Sequence, residues 1–283
     1  MRRLYGRSEA ADFGPKKLKT VRQLFVDQGL ARNTCNKYTN RIVRFFKWAC
    51  SEELVPPHLH HGLASVRHLQ RGRSEARETD AVKPVEDAVI DATCDQLGPI
   101  VADMVRLQRL TGMRPIEVCT VKPVDIDRSS EIWLFQPEVN KNEHHGKSRI
   151  VPIGPRGQEL LSPYLLRDAQ SYCFRPDESN EQHYRKRRLS RTSRTELQDR
   201  RVTTPKRKPG DGYETAAYRR AIERAAKRAG VEHWTPNQLR HTAGTEIRKV
   251  FGLEAAQVTL GHSSANVTQV VQTIRRSICR TSW

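Results

Sequence analysis

No stretch of the 283-residue chain approaches the roughly 20 consecutive apolar residues that a membrane-spanning helix requires. An integral helical membrane protein is therefore excluded, and no membrane partner is expected. Cysteine pairs are equally absent. Cys35, Cys50, Cys94, Cys119, Cys173 and Cys279 are scattered without a C-x-x-C spacing, so neither a disulfide framework nor a zinc knuckle is suggested. His58, His60 and His61 fall close together, but no paired Cys or acidic cluster completes a ligand set, and no metal is predicted. Met1-Arg2-Arg3-Leu4-Tyr5-Gly6 is positive yet runs into Ser8-Glu9-Ala10-Ala11-Asp12 without an apolar core, so no secretory leader is expected and a reducing cytosol fits best. Acid is the remaining shortage. With 50 Lys plus Arg against 32 Asp plus Glu, the net charge is +18, a surplus that asks for a polyanionic partner.

What is present reads as two helical domains. Leu18, Val21, Leu24 and Phe25 follow helical spacing over residues 16–30, closed by Gly29. A second helix opens at Asn33-Thr34, both good capping types, and places Tyr38, Ile42, Phe45, Phe46 and Ala49 on one stripe predicted to be buried. Lys37, Arg41, Arg44 and Lys47 form a second stripe on the same helix, all of one sign, and are candidate phosphate contacts. Pro56-Pro57 is read as the end of that helix. The aperiodic, mixed-charge run 71–81 is expected to link an N-terminal domain (1–70) to a second domain (82–283).

In the second domain the spacing predicts helices over about 85–97 and 99–111, with Gly112 as C-cap, and a short helix opened by Pro115. Ile132-Trp133-Leu134-Phe135 and Arg149-Ile150-Val151-Pro152-Ile153 read as two antiparallel strands joined by a polar loop, Asn140 to Lys147. From Arg185 to Lys208 there are eleven Lys or Arg against two acids, a net +9. The region around 183–210 is thus expected to be a loosely held basic insertion, with Arg185, Lys186, Arg187 and Arg188 as candidate DNA contacts. Further helices are expected over about 214–229 and from Thr235-Pro236 onward. The fold class is mainly α with a small β-hairpin.

Three short segments carry the chemistry. Thr111-Gly112-Met113-Arg114 places an Arg in a turn between a helix end and a Pro-started helix, so backbone aims its guanidinium. Leu239-Arg240-His241-Thr242 lies on a helix where Asn237, Arg240, His241 and Gly244 share one face, and Gly244 would let a phosphate approach. Leu260-Gly261-His262-Ser263-Ser264 puts a His after a Gly turn.

In this order and spacing, the three segments resemble those of the tyrosine recombinase, or phage integrase, family, and the resemblance covers nearly the whole chain. It implies a SAM-like core-binding domain followed by a catalytic domain. It also implies DNA integration and recombination by phosphoryl transfer on double-stranded DNA, in a synapse that is a tetramer in the family, without metal, ATP or other cofactor, at the nucleoid of a cytoplasm. Arg114 and Arg240 would clamp the phosphate, Lys141 would match the catalytic lysine, His262 would be a third anchor, and Glu117 the acid supporting the first arginine. Paired guanidiniums suit a phosphorus passing through five-coordination, because each planar fork grips two oxygens and stays charged.

Two positions depart from the pattern. Asn237 stands where the family usually has His, so acid–base help is lost there while hydrogen bonding is kept. Val271 stands where the family places its nucleophilic tyrosine, and the last tyrosine of the chain is Tyr218. An aliphatic side chain cannot attack phosphorus, so the chain is expected to be unable to cleave DNA by itself. It would be a recombinase without its nucleophile or, alternatively, a non-catalytic relic or competitor that occupies recombination sites. The tail 271–283 resembles no family ending. Val-Gln encoded as GTA-CAR contains TAC, a tyrosine codon, in the shifted frame, which suggests a frameshifted or decayed gene.

Overall fold

A computed structural model describes residues 2–138, 149–189 and 210–261. The chain divides into two compact units, Met1–Ala81 and Val82–Trp283. In the first, helices α1 (Arg2–Tyr5), α2 (Pro15–Asp27), α3 (Arg32–Ser51) and α4 (Pro57–Ala64) enclose a core of Leu18, Val21, Phe46, Leu59 and Leu63. Phe13 stacks on Phe46 with ring centroids 5.2 Å apart. Asn36 exchanges two hydrogen bonds with the Leu69 backbone, at 3.0 and 2.9 Å. Residues 71–81 are anchored to this unit: Ala76 is buried, the Arg32 backbone N–H donates to the Arg77 carbonyl, and the Arg32 guanidinium pairs with Glu78 at 2.6 Å.

Several expectations are corrected here. Pro57 does not merely end a helix; it occupies the first turn of α4, where its missing N–H costs nothing. Helix α3 begins at Arg32 behind Ala31, and Asn33 and Thr34 lie inside it rather than capping it. Its buried residues are Cys35, Thr39, Phe46 and Ala49, whereas Tyr38 and Phe45, assigned from spacing to the core stripe, are exposed. The aromatic that faces inward is Phe46, which stacks on Phe13.

The second unit is organised on α6 (Pro99–Thr111), whose Ile100, Met104, Val105 and Leu107 are fully buried. Around it stand α5 (Asp87–Cys94), α7 (Pro115–Cys119), α8 (Pro155–Leu161), α9 (Pro176–Leu189), α10 (Thr215–Ala229) and α11 (Pro236–Leu260). A three-stranded antiparallel sheet, β1 (Ile126–Asp127), β2 (Trp133–Phe135) and β3 (Val151–Ile153), closes one side, in the order β1-β2-β3 with Phe135 opposite Val151. The expected hairpin is thus present, joined by a two-residue strand too short to show alternation. Gly112 ends α6 in the left-handed conformation at φ 63°. Helix α11 is interrupted at Gly252, where φ 86° and ψ 178° break it into two parts. Helix α9 runs through Leu189, so Arg185–Arg188 are helical and not part of a loose insertion. Asp177 and Glu178 at its start and Lys186–Arg188 at its end both match the helix dipole.

A single buried carboxamide ties these elements together. Gln108 Nε2 donates to the Met113 and Pro236 carbonyls, each at 3.0 Å, and its Oε1 accepts from the Tyr218 hydroxyl at 2.9 Å. Replacing Gln108 with Leu is expected to leave three buried partners unsatisfied and to cost about 3–5 kcal/mol in urea denaturation, each lost partner being worth roughly 1–3 kcal/mol. Adding Tyr218→Phe to that variant should return about 1 kcal/mol, since it removes one orphaned hydroxyl.

Candidate active site around three arginines

Arg114 sits in the turn between α6 and α7, as its flanking Gly112 and Pro115 dictate. Its backbone N–H donates to Glu117 Oε2 at 2.8 Å and its Nη1 to Glu117 Oε1 at 2.6 Å, so one carboxylate fixes both ends of the residue. Glu117 is buried in the first turn of α7. Its Oε1 also accepts from Arg149 Nε at 3.3 Å, and both of these side chains are only 4% exposed.

Arg240, on α11, comes from more than a hundred residues further along the chain and docks on the same turn. Its Nη1 donates to the Gly112 carbonyl at 2.6 Å, and its Nη2 donates to the Leu260 carbonyl. Arg149 Nη1 donates to the Thr259 carbonyl at 2.9 Å and to the Ile150 carbonyl at 3.2 Å. Two guanidiniums therefore satisfy carbonyls at the C-terminal end of α11, where a helix leaves acceptors without partners and carries its negative dipole end.

Among the described residues, three arginines and one glutamate leave this cluster with a surplus of positive charge. Burial, followed by the charges of Arg149 and Arg114, pushes the Arg240 pKa down to about 10, so it stays cationic at neutral pH but at a cost. Burial likewise lowers Arg149, with Glu117 opposing the shift. A guanidinium has five N–H donors. Arg114 spends one on Glu117 and Arg240 two on carbonyls, so among the described residues each has N–H donors left over.

The other expected residues divide into three groups. Asn237 is exposed one turn before Arg240. Gly244 does not open a space for phosphate: a Cβ there would stand 2.7 Å from Leu260 Cδ1, and one on Gly112 would stand 2.9 Å from Leu260 Cδ2. Both glycines form the notch that receives Leu260. Lys141, His262 and Val271 lie outside the described residues, as does the basic stretch 190–209. In the first unit, Lys37, Arg41, Arg44 and Lys47 are exposed on α3; in the second, Arg185–Arg188 are exposed on α9. Phe45 and Trp48, 50% and 51% exposed, stand among the α3 cations, and the Arg41 guanidinium lies 5.3 Å from the Tyr38 ring centroid.

Sequence reasoning missed Arg149 and Gln108. Arg149 was visible as a lone charge at the edge of the apolar run 150–153, the one signal that could have marked it.

The second unit gathers guanidiniums from a turn, a strand edge and a distant helix beside one buried carboxylate. Residues 86–272 match the phage integrase family, and the chain belongs to that family of tyrosine recombinases. Among its relatives is tyrosine recombinase XerC of Corynebacterium glutamicum, 25% identical over 270 residues, covering 89% of this chain and 72% of the relative. The fold is similar to that of a lambda integrase dimer bound to a COC′ core site, with a TM-score of 0.64 at 15% identity over 96% of this chain and 83% of that one. It is also similar to a lambda integrase tetramer bound to a Holliday junction, with a TM-score of 0.63 at 15% identity over 96% of this chain and 67% of that one.

Glu117→Gln should weaken the fold at low ionic strength by about 3 kcal/mol, because it leaves three clustered guanidiniums without their buried counter-charge. Added sulfate should restore part of that loss in a thermal melt; a loss indifferent to sulfate would mean that the cationic pocket takes no anion.

Proposed function

We propose that this chain is a site-specific recombinase of DNA in its binding chemistry, one that grips a DNA phosphate and occupies duplex recombination sites as a multimer but does not cut them alone. The observation that carries the reading is the convergence of Arg114 and Arg240, from two separated motifs, on one turn. Donors that are fixed before the ligand arrives are worth most where charge develops, and losing one typically costs about 10²–10³ in rate. The net charge of +18 and the exposed α3 cations supply the remaining attraction to a duplex. The lambda integrase neighbours are a dimer and a tetramer on DNA, which supports a multimer here.

The absence of cleavage rests on the nucleophile. Val271 has no group to attack phosphorus, and Tyr218, the last tyrosine, is fully buried and hydrogen-bonded to Gln108, with burial pushing its phenol well above its ordinary pKa. Arg114, Arg240 and Asn237, with Lys141 and His262, then act as a binding set for the phosphodiester. The alternative is a competitor that holds sites or partner protomers; it shares every binding residue and differs only in its biological use.

Bound fragments selected from a random duplex pool would yield a target, and a nicked version of that target tests cleavage. The expected result is salt-dependent binding with no denaturant-resistant protein–DNA adduct; an adduct formed by the chain as it stands would refute the proposal. Arg44→Ala and Lys47→Ala should each lower the slope of log affinity against log salt by about 1, the signature of one lost phosphate contact. Val271→Tyr with a family C-terminal segment should recover the adduct if the phosphate clamp is intact.

A further inference from the structure

We propose that Arg149 is a positioning residue of the phosphate clamp: its guanidinium bridges Glu117, which holds Arg114, and the carbonyl end of α11, on which Arg240 also docks. This inference rests on the clamp reading above and adds to it a third arginine that neither the three motifs nor any family match assigns.

The geometry is specific to an arginine. Nε faces Glu117 Oε1 at 3.3 Å while Nη1 reaches Thr259 O at 2.9 Å, so the two edges of one planar group connect the acid to the corner that precedes His262 in sequence. A lysine ammonium is a single point and lacks that span. The corner is shaped to receive the group: Gly261 is left-handed at φ +64°, and a Cβ there would stand 2.7 Å from Arg149 Nη1. Gly261 therefore serves both a backbone conformation and the close approach of Arg149.

The charge arithmetic gives the direction of the effect. With Arg149 present, Glu117 is shared between two cations, and its negative charge does not oppose an incoming anion. Without Arg149, Glu117 would pair with Arg114 alone, drawing that guanidinium inward and cancelling its field. Arg149 Nη2 is buried and has no hydrogen-bond partner among the described residues, an arrangement that costs stability. A role in orienting its neighbours accounts for retaining a charge that a hydrophobic residue could replace in the core.

The test is a double-mutant cycle on the full-length chain, titrated calorimetrically with inorganic orthovanadate, a tetrahedral oxyanion of phosphate's shape and charge. Wild type should bind, and Arg114→Lys should bind more weakly; no binding by wild type would overturn the clamp and this inference with it. Arg149→Met should weaken binding about tenfold, and much less in the Arg114→Lys background, since the two act through one carboxylate. Arg149→Lys should recover only a minor part of the loss. An unchanged affinity in Arg149→Met, while Arg114→Lys still weakens binding, would overturn the inference and leave the clamp standing. Additive losses would make Arg149 a direct ligand, and full recovery by Lys would remove the bridging role. Should Arg149→Met fail to fold, Gly261→Ala carries the test, because it displaces the guanidinium without deleting it and should weaken vanadate binding in parallel.

Discussion

The site exists because one buried carboxylate is shared by two guanidiniums. Glu117 sits in the first turn of α7, with its two oxygens committed to the Arg114 backbone, the Arg114 side chain and Arg149. Bringing cations together in a protein interior is opposed both by burial and by their mutual repulsion, and the lowered pKa of Arg240 reports both. Glu117 offsets part of that opposition and the carbonyls of Gly112, Thr259 and Leu260 offset more. What remains, among the described residues, is a cluster with surplus positive charge, and on the proposed reading a phosphate from outside would offset it.

Holding that arrangement falls to neutral groups. Gln108 clasps the turn that carries Arg114 and the start of the helix that carries Arg240, through two carbonyls that no side chain substitution at those positions could alter. Leu260 fills the notch cut by Gly112 and Gly244, fixing the far end of α11 against the same turn. Thr242 Oγ1 accepts a hydrogen bond from the Val85 backbone N–H at 2.9 Å, tying α11 to the chain's entry into the second unit. Among the described motif residues, Gly112, Thr242, Gly244 and Leu260 thus have a packing role. The glycines in T-G-x-R and in the segment after L-R-H-T are there to admit a leucine.

How much of this was legible depended on whether a local rule governed the residue. Helices α6 and α10 and the strand pair of the sheet were visible, because a long periodic stripe, a glycine cap and a β-branched run are each local signals. Helix α4 was hidden by Pro56-Pro57, since proline both ends helices and begins them, and only the tertiary packing of Leu59 and Leu63 decides which. Tyr38 and Phe45 misled for a similar reason: spacing places residues on a face of α3 but does not say which of two apolar faces finds a partner. Arg114 and Arg240 could be named from motifs, and Glu117 from its place three residues on. Arg149 and Gln108 could not, because what defines them is contact with backbone atoms remote in sequence, and a carbonyl leaves no trace in residue identity.

The same hydrogen bonds underlie the proposed phosphate grip of a chain that has valine at position 271. Among the described residues, none of the hydrogen bonds that orient the three guanidiniums runs through a tyrosine hydroxyl, while every one runs to Glu117 or to a backbone carbonyl. Losing Arg240 or Arg149 would strip the helix end of its donors, and losing Glu117 would leave buried cations unpaired. On the proposed reading, the residues that would bind phosphate are thus also residues that tie the helix end to the turn before α7.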